Sequence, residues 1–170
     1  MNLLETERLT IRELDVNDAS LIYKYSKEKT MLEELPDQVY ESRNEAREII
    51  EFLSTKYKTT PQSYPLVYGV VLKKTNTLIG HVGLSVRLDG VEIGYAIGMD
   101  YQGNGYATEA VGAFSRWAKC NLKLSAIYGI VKAGNKRSEK VLSNNHFTFH
   151  EEVFMKGFGG KYLIKVYIYE

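Results

Sequence analysis

Asp100-Tyr-Gln-Gly-Asn-Gly-Tyr-Ala-Thr-Glu-Ala110 joins two different periodicities. Upstream, Thr77 to Val86 and Val91 to Met99 alternate with period two, the pattern of strands. Downstream, Ala110, Val111, Phe114, Trp117 and Ala118 recur at helical spacing and mark a buried stripe. Gly103 and Gly105 lie between the two patterns. A glycine-rich turn that opens a helix leaves backbone N–H groups unpaired and pointing one way, a natural match for phosphate oxygens. Two phosphate motifs do not fit. A dinucleotide fingerprint needs a third glycine where Thr108 stands, and a P-loop needs Gly-Lys-Ser/Thr, which is absent.

Working outward, the two strands before the turn read as a hairpin with Asp89-Gly90 as its central residues. That register sets Val86 against Ile93, Leu84 against Tyr95 and Val82 against Ile97 on a thick apolar face. The other face carries Arg87 opposite Glu92, Ser85 opposite Gly94, Gly83 opposite Ala96 and His81 opposite Gly98. So many glycines weaken a strand, which implies that something approaches the backbone there. Towards the N-terminus, Leu66 to Leu72 and Leu9 to Arg12 are strands. Helices are expected after the caps at Asp15 to Asp18 and after Ser42 with Glu45, a capping-box spacing. Glu33 to Glu41 reads as an irregular acidic connection broken by Pro36, and Thr59 to Pro65 as a loop. Towards the C-terminus come a strand from Ser125 to Lys132 and a helix from Lys136 to Asn144 capped by Asn135. Two last strands, Phe147 to Met155 and Lys161 to Tyr169, flank a glycine-rich turn. The expectation is an α/β (α+β) layer protein, one domain over residues 1–170, with a mixed sheet of about seven strands and about four helices.

The bulk numbers exclude several function classes. Apolar and charged fractions of 44% and 25% are those of an ordinary globular protein. A net charge of +1 offers no basic footprint for nucleic acid or an anionic membrane. The single cysteine, Cys120, rules out an internal disulfide and reads as a small core or boundary residue. The N-terminal stretch has no signal-peptide core, and no apolar run reaches membrane-spanning length. These features point to a soluble cytoplasmic protein.

Gln102-Gly-Asn-Gly-Tyr-Ala107 resembles the Q/R-x-x-G-x-G/A signature of the GNAT (Gcn5-related) N-acetyltransferases. Glu92-Ile-Gly-Tyr-Ala-Ile97 upstream, Ala107-Thr-Glu-Ala110, Asn135 with Ser138, Asn145-His-Phe147 and the opening Glu5 to Arg12 agree with it. Within that superfamily the chain is most similar to the RimJ/RimL-like branch. The resemblance implies a GNAT fold with acetyl-CoA as cosubstrate and no metal. It assigns the pyrophosphate to the amides of Gln102, Gly103, Asn104, Gly105, Tyr106 and Ala107, where a helix N-terminus concentrates positive charge. The pantetheine arm would add to the strand edge at Ile97, Gly98 and Met99, and Asn135 either caps its helix or contacts the arm.

The implied chemistry sets its own demands. An alkyl amine titrates near the lysine value of roughly 10 and must lose a proton before it attacks a thioester. Glu92, on the small polar face, is the candidate base, with a cross-strand ion pair to Arg87 as its other reading. His81 on the same face is a candidate proton relay or a structural histidine. Ser138 is the candidate donor to the departing thiolate. Many relatives carry a tyrosine four residues further on, where this chain has Leu142; Tyr167 is the fallback. Glu109 reads as a structural or helix-dipole partner. Lys132, Lys136, Arg137 and Lys140 are either a phosphate contact or a solvated face. Glu33, Glu34, Asp37 and Glu41 fall where the family builds part of its acceptor pocket, and could attract a cation or simply face solvent. The expected acceptor is a primary amine, small molecule or protein N-terminus, with no nucleic acid or membrane partner and a possible homodimer. The alternative is a non-catalytic acyl-CoA-binding sensor or scaffold of the same fold.

Overall fold

A computed structural model describes residues 1–59, 63–87, 90–157 and 160–170. The strands are β1 (Asn2–Glu5), β2 (Leu9–Glu13), β3 (Leu66–Leu72), β4 (Thr77–Arg87), β5 (Gly90–Ile97), β6 (Ile127–Lys132), β7 (Thr148–Gly157) and β8 (Gly160–Tyr169). The α-helices are α1 (Ala19–Ser26), α2 (Lys29–Glu34), α3 (Arg43–Lys56), α4 (Tyr106–Leu122) and α5 (Lys136–Asn144). All eight strands form one sheet in the order β1-β2-β3-β4-β5-β6-β8-β7. Every neighbouring pair is antiparallel except β5 and β6, which run parallel.

The mixed α/β class is as expected, with one strand and one helix more. Asn2–Glu5 is only four residues long and draws its pairing from β2. Lys29–Glu34 is a six-residue helix that buries Met31 alone and stops before Pro36, too short to show a stripe. The caps are where the sequence puts them. Asp15 and Asp18 bond reciprocally around a short 3-10 turn ahead of α1. Ser42 accepts the Glu45 N–H at the start of α3, while the Glu45 carboxylate takes the Glu41 N–H instead of closing the box on Ser42.

Two apolar clusters sandwich the sheet. Val82, Leu84, Ile93 and Ile97 on one face pack with Ala110, Val111, Phe114 and Ala118 of α4. Leu14, Val71 and Leu78 on the other pack with Ala19 and Ile22 of α1 and Ala46, Ile50 and Leu53 of α3. Phe114 is fully buried, and such a side chain contributes roughly 1.5–3 kcal/mol, so α4 is firmly seated. The turn that opens α4 therefore starts from a fixed base.

The hairpin register differs from the expected one by two residues. Ser85 lies opposite Glu92, Gly83 opposite Gly94 and His81 opposite Ala96, with Arg87 opposite Gly90. Gly90 is thus a paired strand residue and not the centre of the turn expected at Asp89-Gly90; residues 88 and 89 lie outside the described residues. A two-residue shift keeps each side chain on its expected face. It separates Arg87 from Glu92 in the ladder, so direct cross-strand opposition of that pair is not the arrangement. Cys120 is exposed on α4, not a core residue.

Candidate active site

After β5 the chain makes a short 3-10 turn, Met99–Tyr101, and then the glycine turn. Gly103 and Gly105 have φ of 79° and 80°, left-handed values that exclude most side chains. Asn104 holds the loop's shape by donating from Nδ2 to Tyr101 O and Gln102 O, both at 3.1 Å. The N-terminus of α4 has no capping side chain. Among the described residues, no amide from Gly103 to Ala107 donates a hydrogen bond. Nothing lies within 4 Å of where a Gly103 side chain would begin, and at Gly105 only Arg8 Nη2 comes within that range, at 3.5 Å, so the turn has open space beside it. This is a fit for pyrophosphate: free donors, a helix dipole and room for the anion.

The turn is braced from behind by Arg8 and Thr6, whose role the sequence did not reveal, and by Glu109. Arg8 donates from Nη1 to Asn104 O at 2.9 Å and from Nε to Glu109 Oε2 at 2.6 Å. Its guanidinium lies 4.7 Å from the Tyr106 ring centroid. Glu109 also accepts from the Thr6 hydroxyl at 2.6 Å and the Arg8 N–H at 2.9 Å. Burial raises the Glu109 carboxyl, but the bonds from Thr6 and Arg8 outweigh it and hold it below the usual carboxylate range. Glu109 is thus a structural tie, as read from the sequence.

Among the described residues β5 and β6 are registered at one pair, Glu92 with Tyr128, and the ladder is not continued beyond it, which leaves a gap between the strands. The Gly98 N–H donates to Ile79 O at 2.8 Å, towards β4. Strand alternation then turns the backbone groups of Tyr95 and Ile97 into the gap. Of the three residues expected along the pantetheine edge, Ile97 is the one so placed. Its carbonyl accepts from Gln102 Nε2 at 2.8 Å, while Gln102 Oε1 accepts from Arg137 at 3.1 Å across the gap. Gly98 does not leave room for a ligand, because a Cβ there would meet the Tyr25 ring at 2.7 Å. The Met99 N–H is held by Glu28 Oε2 at 2.8 Å. Neither Tyr25 nor Glu28 stands out in the sequence, since their helical spacing says nothing about the strand end they reach.

Across the gap, Asn135 caps α5 through Oδ1 to the Ser138 N–H at 3.1 Å. Tyr95 donates its hydroxyl to Ser138 O at 3.2 Å and so ties β5 to α5. Burial pushes the Tyr95 phenol up to about 12. The Ser138 side chain also hydrogen-bonds the Tyr95 phenol, so it faces β5 across the gap. Leu142 is fully buried and sits where a Gly129 side chain would be, 2.7 Å from that position, so packing accounts for its lack of a hydroxyl. Tyr167 is buried, and its phenol is raised by that burial and by Glu139 beside it.

The small face of β4 and β5 is roofed by α1, α2 and α3 over a largely apolar cavity of about 260 Å³. His81, Gly83, Ser85, Gly94 and Ala96 form its floor, and Glu28 and Gln38 add polar groups at its wall. Burial pushes the His81 imidazole down to about 4, and its Nε2 is enclosed without a hydrogen-bond partner among the described residues. Glu92 shares this strand face with Gly94 and Ala96 but lies one step beyond the cavity lining, at the point where β5 and β6 join. Glu33, Glu34, Asp37 and Glu41 are all exposed and none lines the cavity. Arg137 reaches Gln102, whereas Lys136 pairs with Glu139 at 3.2 Å.

An open sheet whose parallel pair parts beside an amide-lined helix start, with a pocket under the same strand, defines an acetyl-transferring class of protein. Residues 8–148 match the family model described as the acetyltransferase (GNAT) domain, and the chain belongs to that family. It is an acetyl-CoA-dependent N-acetyltransferase. It is 26% identical over 161 residues to p20 of Bacillus licheniformis, an uncharacterized N-acetyltransferase, spanning 93% of this chain and 88% of that protein. Among solved structures it is similar to a GNAT-family acetyltransferase from Bacillus anthracis, with TM-score 0.81 and 21% identity over 98% and 96% of the two chains. It is likewise similar to RimL, a ribosomal L7/L12 α-N-protein acetyltransferase solved with coenzyme A, with TM-score 0.82 and 19% identity over 99% and 97%. At these identities the solved structures speak for the fold.

Among the described residues no cluster of His, Cys, Asp and Glu could hold a metal ion, and no helix is long and apolar enough to cross a membrane.

Proposed function

We propose that the chain passes an acetyl group from acetyl-CoA directly to a primary amine, a protein N-terminus or a small molecule. The row of undonated amides from Gly103 to Ala107, at the start of α4 and with open space at Gly103, carries this reading. Those amides hold the pyrophosphate, and the edge of Tyr95 and Ile97 receives the pantetheine arm. Bound acetyl-CoA supplies an activated thioester. The amine nitrogen forms a bond to the acetyl carbon, the carbon–sulfur bond breaks, and the nitrogen's proton leaves through water to Glu92. Ile97 offers a backbone N–H to the developing oxyanion, since Met99 is engaged by Glu28. Ser138, beside the Tyr95 phenol, offers its hydroxyl to the departing thiolate.

The cradle is tested by Gly103→Trp and Gly105→Trp. Both residues hold left-handed φ, so either change distorts the loop and fills the anion's place. Calorimetry is expected to show loss of CoA binding in both; undiminished binding would sink the assignment.

A further inference from the structure

The cavity beneath α1–α3 says more about the acceptor than that it is an amine. Its wall is built from aliphatic and aromatic side chains, among them Ile22, Met31, Ile50, Phe52, Leu53 and Val67. At about 260 Å³ it falls below the roughly 300–1,000 Å³ typical of sites for drug-sized ligands, so it suits one compact group. The apolar lining continues to the mouth, where Phe52 is 47% exposed.

Its polar groups are few, and several are already committed. The Tyr25 hydroxyl donates to Leu78 O at 2.8 Å, and Ser26 Oγ donates to Tyr23 O at 2.8 Å while accepting the Tyr40 N–H at 3.3 Å. The other polar residues of the lining are Glu28, whose Oε2 already accepts the Met99 N–H at 2.8 Å, Gln38, Tyr40, Ser85 and His81 with its enclosed Nε2. A chain of several ammonium groups would find one carboxylate here, and burying the others without partners costs several kcal/mol each. The acids of the Glu33 to Glu41 segment face solvent and offer no help inside.

The floor has one bare position. Among the glycines lining the cavity, a Cβ at Gly80 would meet Ala96 O at 2.1 Å, at Gly83 Leu66 O at 2.6 Å and at Gly98 the Tyr25 ring at 2.7 Å. At Gly94 it would meet nothing within 4 Å. The first three glycines are required by the fold, and Gly94 is the one whose missing side chain leaves space for a ligand.

We propose that the acceptor is a primary amine carried on a single apolar group, aliphatic or aromatic, which seats on Gly94 beneath α1 and α3. This rests on the amine-transfer reading above. Polyamines and aminoglycosides are excluded as good substrates, and among peptides an N-terminal residue with an apolar side chain is preferred over serine.

The test follows thiol release from acetyl-CoA with 2-phenylethylamine, hexylamine, a Leu-headed and a Ser-headed peptide, spermidine and kanamycin. The apolar amines, or the Leu-headed peptide over the Ser-headed one, are expected to lead spermidine and kanamycin by tenfold or more in kcat/KM. Gly94→Val is expected to raise KM for the leading acceptor tenfold or more, with acetyl-CoA affinity by calorimetry unchanged. Phe52→Ala, at the exposed rim, raises the same KM and guards against a folding defect in the first variant. Spermidine, kanamycin or the Ser-headed peptide leading, or an unchanged KM in both variants, overturns the apolar acceptor while leaving amine transfer intact. Acetyl-CoA binding with no thiol release for any amine overturns both.

Discussion

His81 is a neutral imidazole held in the floor of a pocket, and its environment makes a signed prediction. Folded, it gives up its proton down to about pH 4, whereas its ordinary value is 6.5. Below 6.5 the unfolded chain takes up a proton that the folded chain refuses. The stability contributed by neutral His81 is therefore whole above pH 6.5, declines as pH falls, and is lost by about pH 4. The full swing is on the order of 3 kcal/mol. Urea midpoints of His81→Leu are expected to fall less than wild type across that window; parallel curves would show that the imidazole is not buried neutral. Glu92 makes a kinetic prediction. With a base removed, Glu92→Gln is expected to lose roughly 10²-fold in kcat and the basic-group limb of its pH–rate profile. A profile of unchanged shape would return Glu92 to a purely structural role at the β5–β6 junction.

Helices α4 and α5 are locked by one side chain. Asn145, just past α5, donates from Nδ2 to Thr108 O at 3.0 Å and to Val141 O at 2.9 Å. The contact exists because Gly112 is bare: a Cβ there would stand 2.2 Å from Asn145 Oδ1. Gly112→Ala must expel the amide, and is expected to cost roughly 1–3 kcal/mol in urea unfolding. Asn145→Ala in the same chain should recover part of that loss, a coupling that independent sites would not show. Elements with a long periodic face were readable from sequence: Leu66–Leu72, the stripe through Phe114, and Lys136–Asn144 stand as expected. Elements that borrow their stability were not. Asn2–Glu5 depends on β2, and Lys29–Glu34 is a single buried methionine in a turn and a half of helix. The hairpin register slipped by two because alternation fixes the face of a strand but not which rung it occupies.

For the whole molecule, the glycine turn was legible because its chemistry is local: two glycines, a strand before and a helix after. What surrounds it was not, because Arg8, Glu28 and Tyr25 reach the site over 70 to 100 residues of chain. No local pattern encodes such contacts. The family resemblance pointed to the strand edge at Ile97, yet the parting of β5 from β6, with one registered pair among the described residues, is visible only in the assembled sheet. It makes a testable map of protection. The amides of Tyr95 and Ile97 and those from Gly103 to Ala107 are expected to exchange quickly with deuterium and to slow when acetyl-CoA binds. Unchanged exchange along β5 would place the pantetheine arm elsewhere. The same divergence gives the protein an unequal mechanical grain. Antiparallel pairing links every neighbour from β1 to β5 and again through β6, β8 and β7, so the sheet is two plates riveted at Glu92 and Tyr128. Gln102 with Arg137, Tyr95 with Ser138, and Asn145 are struts across that joint. Under tension from its two ends the molecule would tear along this line before either plate sheared, and a ligand lying in the joint would act as its mortar.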